Sequence, residues 1–307
     1  MPFVRADVQR FLDMLAAVDG PQMYEVEPAT ARQMFRRMVE LAERPAPDSV
    51  ESRDFTLPGP AGVIAARSYH PANAVADGTA ILYLHGGGFV LGDLESHHSL
   101  VAEISRLTSY PAVAVDYRLA PEAPWPAAVD DALAAARALV KAPEDSGLAV
   151  RRLIRAGESA GGTLAARLAR ALRHELEIAA QWLIYPATET AAKGGSIDAF
   201  GEGYMLSGKS LRWFGRHYAP DPYSERSSPL LSDDWEALPP ALVFACGLDP
   251  IRDQGRDYAA KLAANGNRLI FREGAGQIHG SMQLRGMIPS AQCDLEQQAA
   301  DLKALLA

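Results

Sequence analysis

Hydrophobic and polar positions along the chain fall into two alternating rhythms. Residues 3–18 and 28–43 have the spacing of amphipathic helices; in the second, Met34, Met38 and Leu41 recur at helical intervals among Arg36, Arg37 and Glu40. A link with Pro45 and Pro47 follows, and residues 54–69 suit a strand pair broken at Pro58-Gly59-Pro60. Short apolar runs of the buried-strand kind then occupy 80–84, 112–116, 153–156, 181–185, 241–246 and 268–271. Helical patterns separate most of them, at about 95–108, 126–141, 160–175, 253–264 and 292–306. Short apolar strands separated by helices predict an α/β fold, with a mostly parallel central sheet and helices on both faces. No internal repeat or low-complexity tract interrupts this order.

One interval breaks the rhythm. After Tyr185-Pro186 no strand pattern returns until Ala241, and the stretch between is rich in Gly, Ser and aromatic residues, with a helix predicted at 207–218. An insertion of this length after a core strand is usually functional. Together with the N-terminal helices it would form a helical lid over the C-terminal edge of the sheet, where open α/β sheets bind their ligands.

Composition narrows the class. At 307 residues the chain is long for one domain, so one large domain with an appendage, or two domains, is expected. With 48% apolar residues it can fill a core, which excludes extended disorder. The net charge of −8, from 38 acidic and 30 basic residues, disfavours a nucleic-acid surface, which needs a basic face. Two cysteines, Cys246 and Cys293, cannot make a disulfide scaffold. Arg5, Asp7, Arg10 and Asp13 interrupt any apolar signal-peptide core, and no uncharged apolar run of about 18 residues could span a membrane. No membrane association and a cytoplasmic location are therefore expected.

Candidate chemistry lies in four places, each at the end of a predicted strand. Gly157-Glu158-Ser159-Ala160-Gly161-Gly162 joins the 153–156 strand to a helix. G-x-S-x-G in that setting suits a sharp turn that projects the serine hydroxyl, with glycines removing the Cβ atoms that would clash. Read alone it is equally a glycine-rich helix start capped by Ser159. His85-Gly86-Gly87-Gly88-Phe89 follows the 80–84 strand. Acyl transfer needs N–H donors aimed at an oxyanion, and consecutive glycines can present them; no phosphate-loop or dinucleotide fingerprint fits instead. His85 reads as a support for that loop rather than a proton shuttle. Asp249 and His279 follow the 241–246 and 268–271 strands, completing the chain order Ser, Asp, His. Singly, Asp249 could be a turn residue and His279 a surface residue. Together with Ser159 they suit orienting acid, general base and nucleophile.

These motifs resemble those of the hormone-sensitive-lipase-like (bacterial type IV) carboxylesterases, which have the α/β-hydrolase fold, and the resemblance covers nearly the whole chain. His85–Phe89 is similar to the family's oxyanion motif, and Gly157–Gly162 to its nucleophile motif, which more often has Asp where Glu158 stands. Tyr117-Arg118-Leu119-Ala120-Pro121-Glu122 matches a further motif of structural character. Asp249-Pro250-Ile251-Arg252-Asp253 matches the acid motif and His279-Gly280 the histidine motif, with Ser281 in place of the usual Phe. The resemblance implies Ser159, Asp249 and His279 as catalytic residues and the N–H groups of Gly87, Gly88 and Ala160 as the oxyanion hole. His85, Gly86, Phe89 and Glu158 would support these motifs. It also implies cap helices in residues 1–45 and a catalytic domain in 46–307 with a cap insertion at about 187–235. Met34, Phe35, Met38, Met205 and Phe214 become candidate pocket walls, with plain cap-to-core packing as the alternative for each. Ser281 removes an aromatic and would widen the His279 side. No metal or organic cofactor is implied, and a homodimer through an edge strand is left open.

The implied function is hydrolysis of small carboxylic esters, of short to medium acyl chain, through an acyl-enzyme. An amidase or peptidase could use the same triad. A small-molecule receptor on this scaffold would be expected to lack the serine or its base, and Ser159, Asp249 and His279 are all present. A metal site at His97 and His98 is disfavoured, because adjacent residues rarely supply a ligand set alone.

Overall fold

In a computed structural model that describes residues 2–307, nine α-helices and eight strands follow one another largely in the expected order. Helices α1 (Ala6–Ala16) and α2 (Pro28–Ala42) precede strands β1 (Val50–Gly59) and β2 (Gly62–Pro71). Then come β3 (Thr79–Leu84), α3 (Leu94–Thr108), β4 (Ala112–Val115), α4 (Ala127–Lys141), β5 (Arg152–Glu158), α5 (Ala160–Ala171) and β6 (Ile178–Ile184). The interval without strands holds α6 (Ser196–Phe200) and α7 (Gly208–Tyr218). The chain closes with β7 (Ala241–Leu248), α8 (Arg252–Ala264), β8 (Leu269–Ile278) and α9 (Pro289–Leu306). Met1, the first residue of the expected 1–45 cap, lies outside the described residues.

The sheet order is β1-β2-β4-β3-β5-β6-β7-β8, antiparallel at β1–β2 and β2–β4 and parallel elsewhere. Side-chain alternation in the central strands feeds two cores. Leu82, Leu84, Leu153, Leu183 and Val243 pack with α4, α5 and α8, while Ile81, Tyr83, Ile154, Trp182 and Phe244 pack with α3 and α9. Both faces are covered, so β3 and β7 are buried along their whole length and read as continuous apolar runs. Among the described residues no helix is long and apolar enough to cross a membrane.

Three elements differ from expectation for physical reasons. The first hairpin turns at Pro60-Ala61, not across Pro58-Gly59-Pro60, and Pro58 pairs with Val63 inside it; β1 is an edge strand, where proline removes no ladder bond. Strand β8 runs on to Ile278, well past residue 271. Its extension, residues 272–278, has no apolar run to mark it; pairing with β7 carries the strand on, and Gln277 and Ile278 at its end are buried. In α2 the buried stripe is Ala31, Phe35, Val39 and Ala42, one residue around the helix from Met34, Met38 and Leu41. Small Ala31 and Ala42 let the helix lie close to the body, and Leu41 is left 60% exposed.

A buried ion pair ties α2 to the loop after His279. Arg285 is 1% exposed; its Nε donates to Glu43 at 3.0 Å, its Nη1 to Gln292 at 3.1 Å and its Nη2 to Ser99 at 3.1 Å. The N–H groups of Gly286 and Met287 also donate to Ala42 O, at 2.9 and 3.0 Å. Arg285→Ala should lower the unfolding free energy by about 3–5 kcal/mol, because it strands a buried carboxylate. Urea titration checks this, and a loss below about 1 kcal/mol would mean that Glu43 finds another partner or water.

Candidate active site

Only Ser159 separates β5 from α5, so one residue makes the whole turn from strand to helix. It does so at φ 55° and ψ −119°, a conformation that costs an L residue of order 1–3 kcal/mol and persists only where the surroundings impose it. Here the Ser159 N–H donates to Ile184 O at 2.9 Å, while its carbonyl accepts from Thr163 N at 3.2 Å and Ala187 N at 3.2 Å. The first turn of α5 is pressed onto the end of β3. A Cβ on Gly161 would sit 1.8 Å from Leu84 O, so no larger residue fits there.

Sheet register brings the other two groups together. Leu248 of β7 pairs with Ile278 of β8, so the residues that follow, Asp249 and His279, leave the sheet side by side. His279 Nδ1 lies 2.7 Å from Asp249 Oδ2 and its Nε2 lies 2.9 Å from Ser159 Oγ. The second carboxylate oxygen of Asp249 accepts the Ile251 N–H at 2.8 Å, which fixes its orientation. Asp249 is fully buried. With Nδ1–H donating to the carboxylate, Nε2 is left to accept the serine proton. Burial pulls the His279 pKa down, but the Asp249 carboxylate, and to a lesser degree Glu158, outweigh this and leave it above its ordinary value.

The glycine loop closes the other side of Ser159. Gly87 and Gly88 have φ of 105° and 62°, and among the described residues their N–H groups donate to nothing. Ala160 is the first residue of α5, where an N–H has no intrahelical partner. All three line the same cleft as Ser159 and His279, so unused donors and the positive end of α5 face the serine. His85 lies beneath the loop. It stacks on Tyr117 at 4.2 Å, its Nδ1 is 2.8 Å from Gly86 O, and the Tyr117 hydroxyl donates to His85 O at 2.6 Å. Burial drives its pKa to about 3, so it is a neutral support. Phe89 stacks on Tyr218 at 3.9 Å and ties the loop to α7.

Glu158 points under the loop and is 2% exposed, with Oε1 3.1 Å from His97 Nε2. His98 turns away, its ring packing on Tyr69 at 5.6 Å. Among the described residues no cluster of three or more His, Cys, Asp or Glu could hold a metal ion.

The cleft has a volume of about 1270 Å³. Of the five candidate wall residues, Phe35, Met38, Met205 and Phe214 line it; Met34 does not, because the α2 stripe facing the body is turned by one residue. Leu12, Leu15, Met23, Tyr24 and Trp213 also line it and went unnoticed in the sequence. Their side chains face the cleft only through the way the N-terminal segment and α7 lie over the sheet, and no motif marks them. Ser281 does not widen the His279 side. It is fully buried with Oγ 3.9 Å from Cys246 Sγ, behind the histidine rather than on the cleft.

Residues 81–283 match a family described as alpha/beta hydrolase fold. The chain is 38% identical over 246 residues to the carboxylic ester hydrolase LipN of Mycobacterium tuberculosis, an overlap of 76% of this chain and 65% of that protein. It is 36% identical over 278 residues to the ethyl acetate hydrolase of Pseudomonas putida, covering 88% of this chain and 87% of that one. Among solved structures, an ester hydrolase from the metagenome of Lake Arreo, complexed with a derivative of bipyridine phosphonate, superposes with a TM-score of 0.94 at 35% identity, over 98% of this chain and 99% of the other.

The tight approach at Gly161 gives a direct test of the turn. Gly161→Ala should destabilise the protein by about 1–3 kcal/mol or more, because the added methyl meets backbone that cannot yield. Gly215→Ala, where a Cβ meets nothing within 4 Å on α7, should raise stability by about 0.5–1 kcal/mol. Thermal unfolding of the two variants decides, and equal effects would contradict the geometry.

Proposed function

The chain belongs to the α/β-hydrolase family, among its hormone-sensitive-lipase-like esterases, and from that premise we propose that it is a serine carboxylesterase acting on short- to medium-chain carboxylic esters. The observation that carries the proposal is the chain of contacts from Asp249 through His279 to Ser159, facing the free N–H groups of Gly87 and Gly88 in one cleft.

The mechanism follows from those positions. Ser159 Oγ attacks the ester carbonyl while His279 Nε2 takes its proton. The carbonyl oxygen becomes an oxyanion and is held by the N–H groups of Gly87, Gly88 and Ala160, donors that need no reorganisation during the step. Asp249 keeps the imidazole in the required tautomer and stabilises its charged form. The imidazolium then gives the proton to the departing alkoxide, so the alcohol leaves and the acyl group stays on Ser159. Water enters, His279 removes its proton as the water oxygen attacks the acyl carbonyl, and the imidazolium returns that proton to Ser159 Oγ as the bond to the acyl group breaks, releasing the acid.

The surplus length serves as a cap in this reading. Residues 1–45 supply Leu12, Leu15, Phe35 and Met38 to the cleft, and the 187–235 insertion supplies Met205, Trp213 and Phe214. These apolar walls suit an acyl chain or an alkyl alcohol, and the polar groups at Ser159 engage only the ester linkage.

Ser159→Ala should lower hydrolysis of p-nitrophenyl butyrate by roughly 10³-fold or more in a folded protein. In a series of acyl lengths, wild-type turnover should be highest with short to medium chains. Near-normal turnover by the folded variant would overturn the proposal.

The pH profile tests the base. His279 must be neutral to accept the serine proton, and its pKa is raised, so kcat/KM should fall as pH drops, with a midpoint above the ordinary ~6.5. A midpoint clearly below that value would remove His279 from the role.

A further inference from the structure

We propose that Glu158 is a positioning residue for this hydrolysis: a buried carboxylate that holds the oxyanion loop against the nucleophile turn from below. The proposal rests on the esterase reading and deepens it.

Three segments meet at this one carboxylate, and a fourth reaches it through His97. Glu158 is the last residue of β5 and the immediate neighbour of Ser159. Its Oε1 lies 1.9 Å from where a Cβ on Gly86 would be, so the carboxylate rests directly on the Gly86 backbone and only glycine fits there. From α3, His97 Nε2 approaches Oε1 at 3.1 Å. From the turn after His279, the Gln283 carboxamide lies 2.5 Å from that same His97 nitrogen, and with its oxygen turned to the ring it shares the Nε2–H with Glu158. His97 is itself held at Nδ1 by Ser96 Oγ at 3.1 Å and Asp93 O at 3.2 Å. Glu158 thus packs under the first glycine of the loop, while the next two, Gly87 and Gly88, keep their N–H groups free on the cleft side. The serine turn, the oxyanion loop and the histidine turn become parts of one hydrogen-bonded assembly.

Side-chain length matters in this arrangement. An aspartate would end about 1.5 Å, one carbon–carbon bond, short of His97. Charge matters separately. The groups facing Glu158 are His97 from α3, His85 and Gly86 from the loop after β3, Tyr83 from β3, Tyr117 after β4, Tyr185 after β6, and His279 after β8. His85 among them stays neutral, because burial drives its pKa to about 3. Burial pushes the Glu158 carboxyl up, but His97, His279 and the Gly86 N–H outweigh it and hold it below the usual range. The carboxylate is therefore charged at neutral pH and favours the imidazolium that His279 forms during the reaction.

The test uses the full chain, p-nitrophenyl butyrate, and the variants Glu158→Asp, Glu158→Gln and His97→Gln, with wild type and Ser159→Ala as references. Glu158→Asp, which keeps the charge and loses the reach, should lower kcat roughly 10–100-fold, less than or comparable to the loss of one oxyanion donor, with KM within about threefold. Glu158→Gln, which keeps the length and loses the charge, should also move the acid midpoint of the pH profile downward. Glu158→Asp should leave that midpoint in place. His97→Gln should lower kcat in the same direction, and the Glu158→Asp/His97→Gln pair should lose little more than the worse single variant, as expected for groups in one network. Wild-type kcat and an unmoved midpoint in the Glu158 variants would overturn the proposal while the esterase reading stands. Inactive wild type would overturn both. If Glu158→Asp and Glu158→Gln both fail to fold, or lose activity only in step with the folded fraction, Glu158 is a structural residue and the proposal fails.

Discussion

The site depends on one backbone constraint, the single-residue turn at Ser159. A strand that ends at Glu158 and a helix that begins at Ala160 leave one residue to reverse the chain, and that residue adopts a positive φ. The turn is stable only because its neighbours hold it from several sides: Ile184 from β6, Ala187 beyond it, and the backbone of Leu84 against Gly161. The same contacts that impose the strain aim the hydroxyl outward and place the start of α5 behind it. Preorganisation of the serine is thus a property of sheet packing rather than of the serine itself.

Around that turn, burial and charge oppose one another. His279 and Asp249 are removed from water, which alone would disfavour the imidazolium, yet the paired carboxylate reverses the balance and raises the histidine pKa. His85, beneath the glycine loop of the same site, is bonded to no carboxylate, and burial drives its pKa to about 3. Two buried imidazoles in one site therefore differ in role because one is hydrogen-bonded to a carboxylate and the other is stacked on a tyrosine ring. The loop between them is held by stacking of Phe89 on Tyr218, so the oxyanion donors and the insertion are mechanically joined.

The N-terminal segment is fixed by specific polar contacts and not only by apolar packing. Arg32 of α2 donates to Val90 O and Ala120 O at 2.8 Å each and pairs with Glu122, binding the helix to the end of the glycine loop. Arg285 and Glu43 join its far end to the loop after His279. Both anchors end beside elements of the site, so the walls contributed by Phe35 and Met38 are set by the same contacts that hold the loops.

Periodicity and motif spacing specify the α/β class, the order of the elements and the strand-end positions of Ser159, Asp249, His279 and the glycine loop. These are local signals: apolar periodicity reports burial on both sheet faces, and a glycine-flanked serine between strand and helix reports a turn. Edge strands are blurred because backbone pairing needs no apolar run, as the extension of β8 from Arg272 to Ile278 shows. Tertiary structure alone decided the rest. The Leu248–Ile278 register set Asp249 beside His279. The rotation of α2 replaced Met34 by Phe35 and Met38 at the cleft, Ser281 turned inward, and His97 with Gln283 joined Glu158 from segments 61 and 125 residues away in sequence. Each of these depends on how two surfaces approach in space, and a one-dimensional pattern reports which face of an element is buried but not which neighbour buries it.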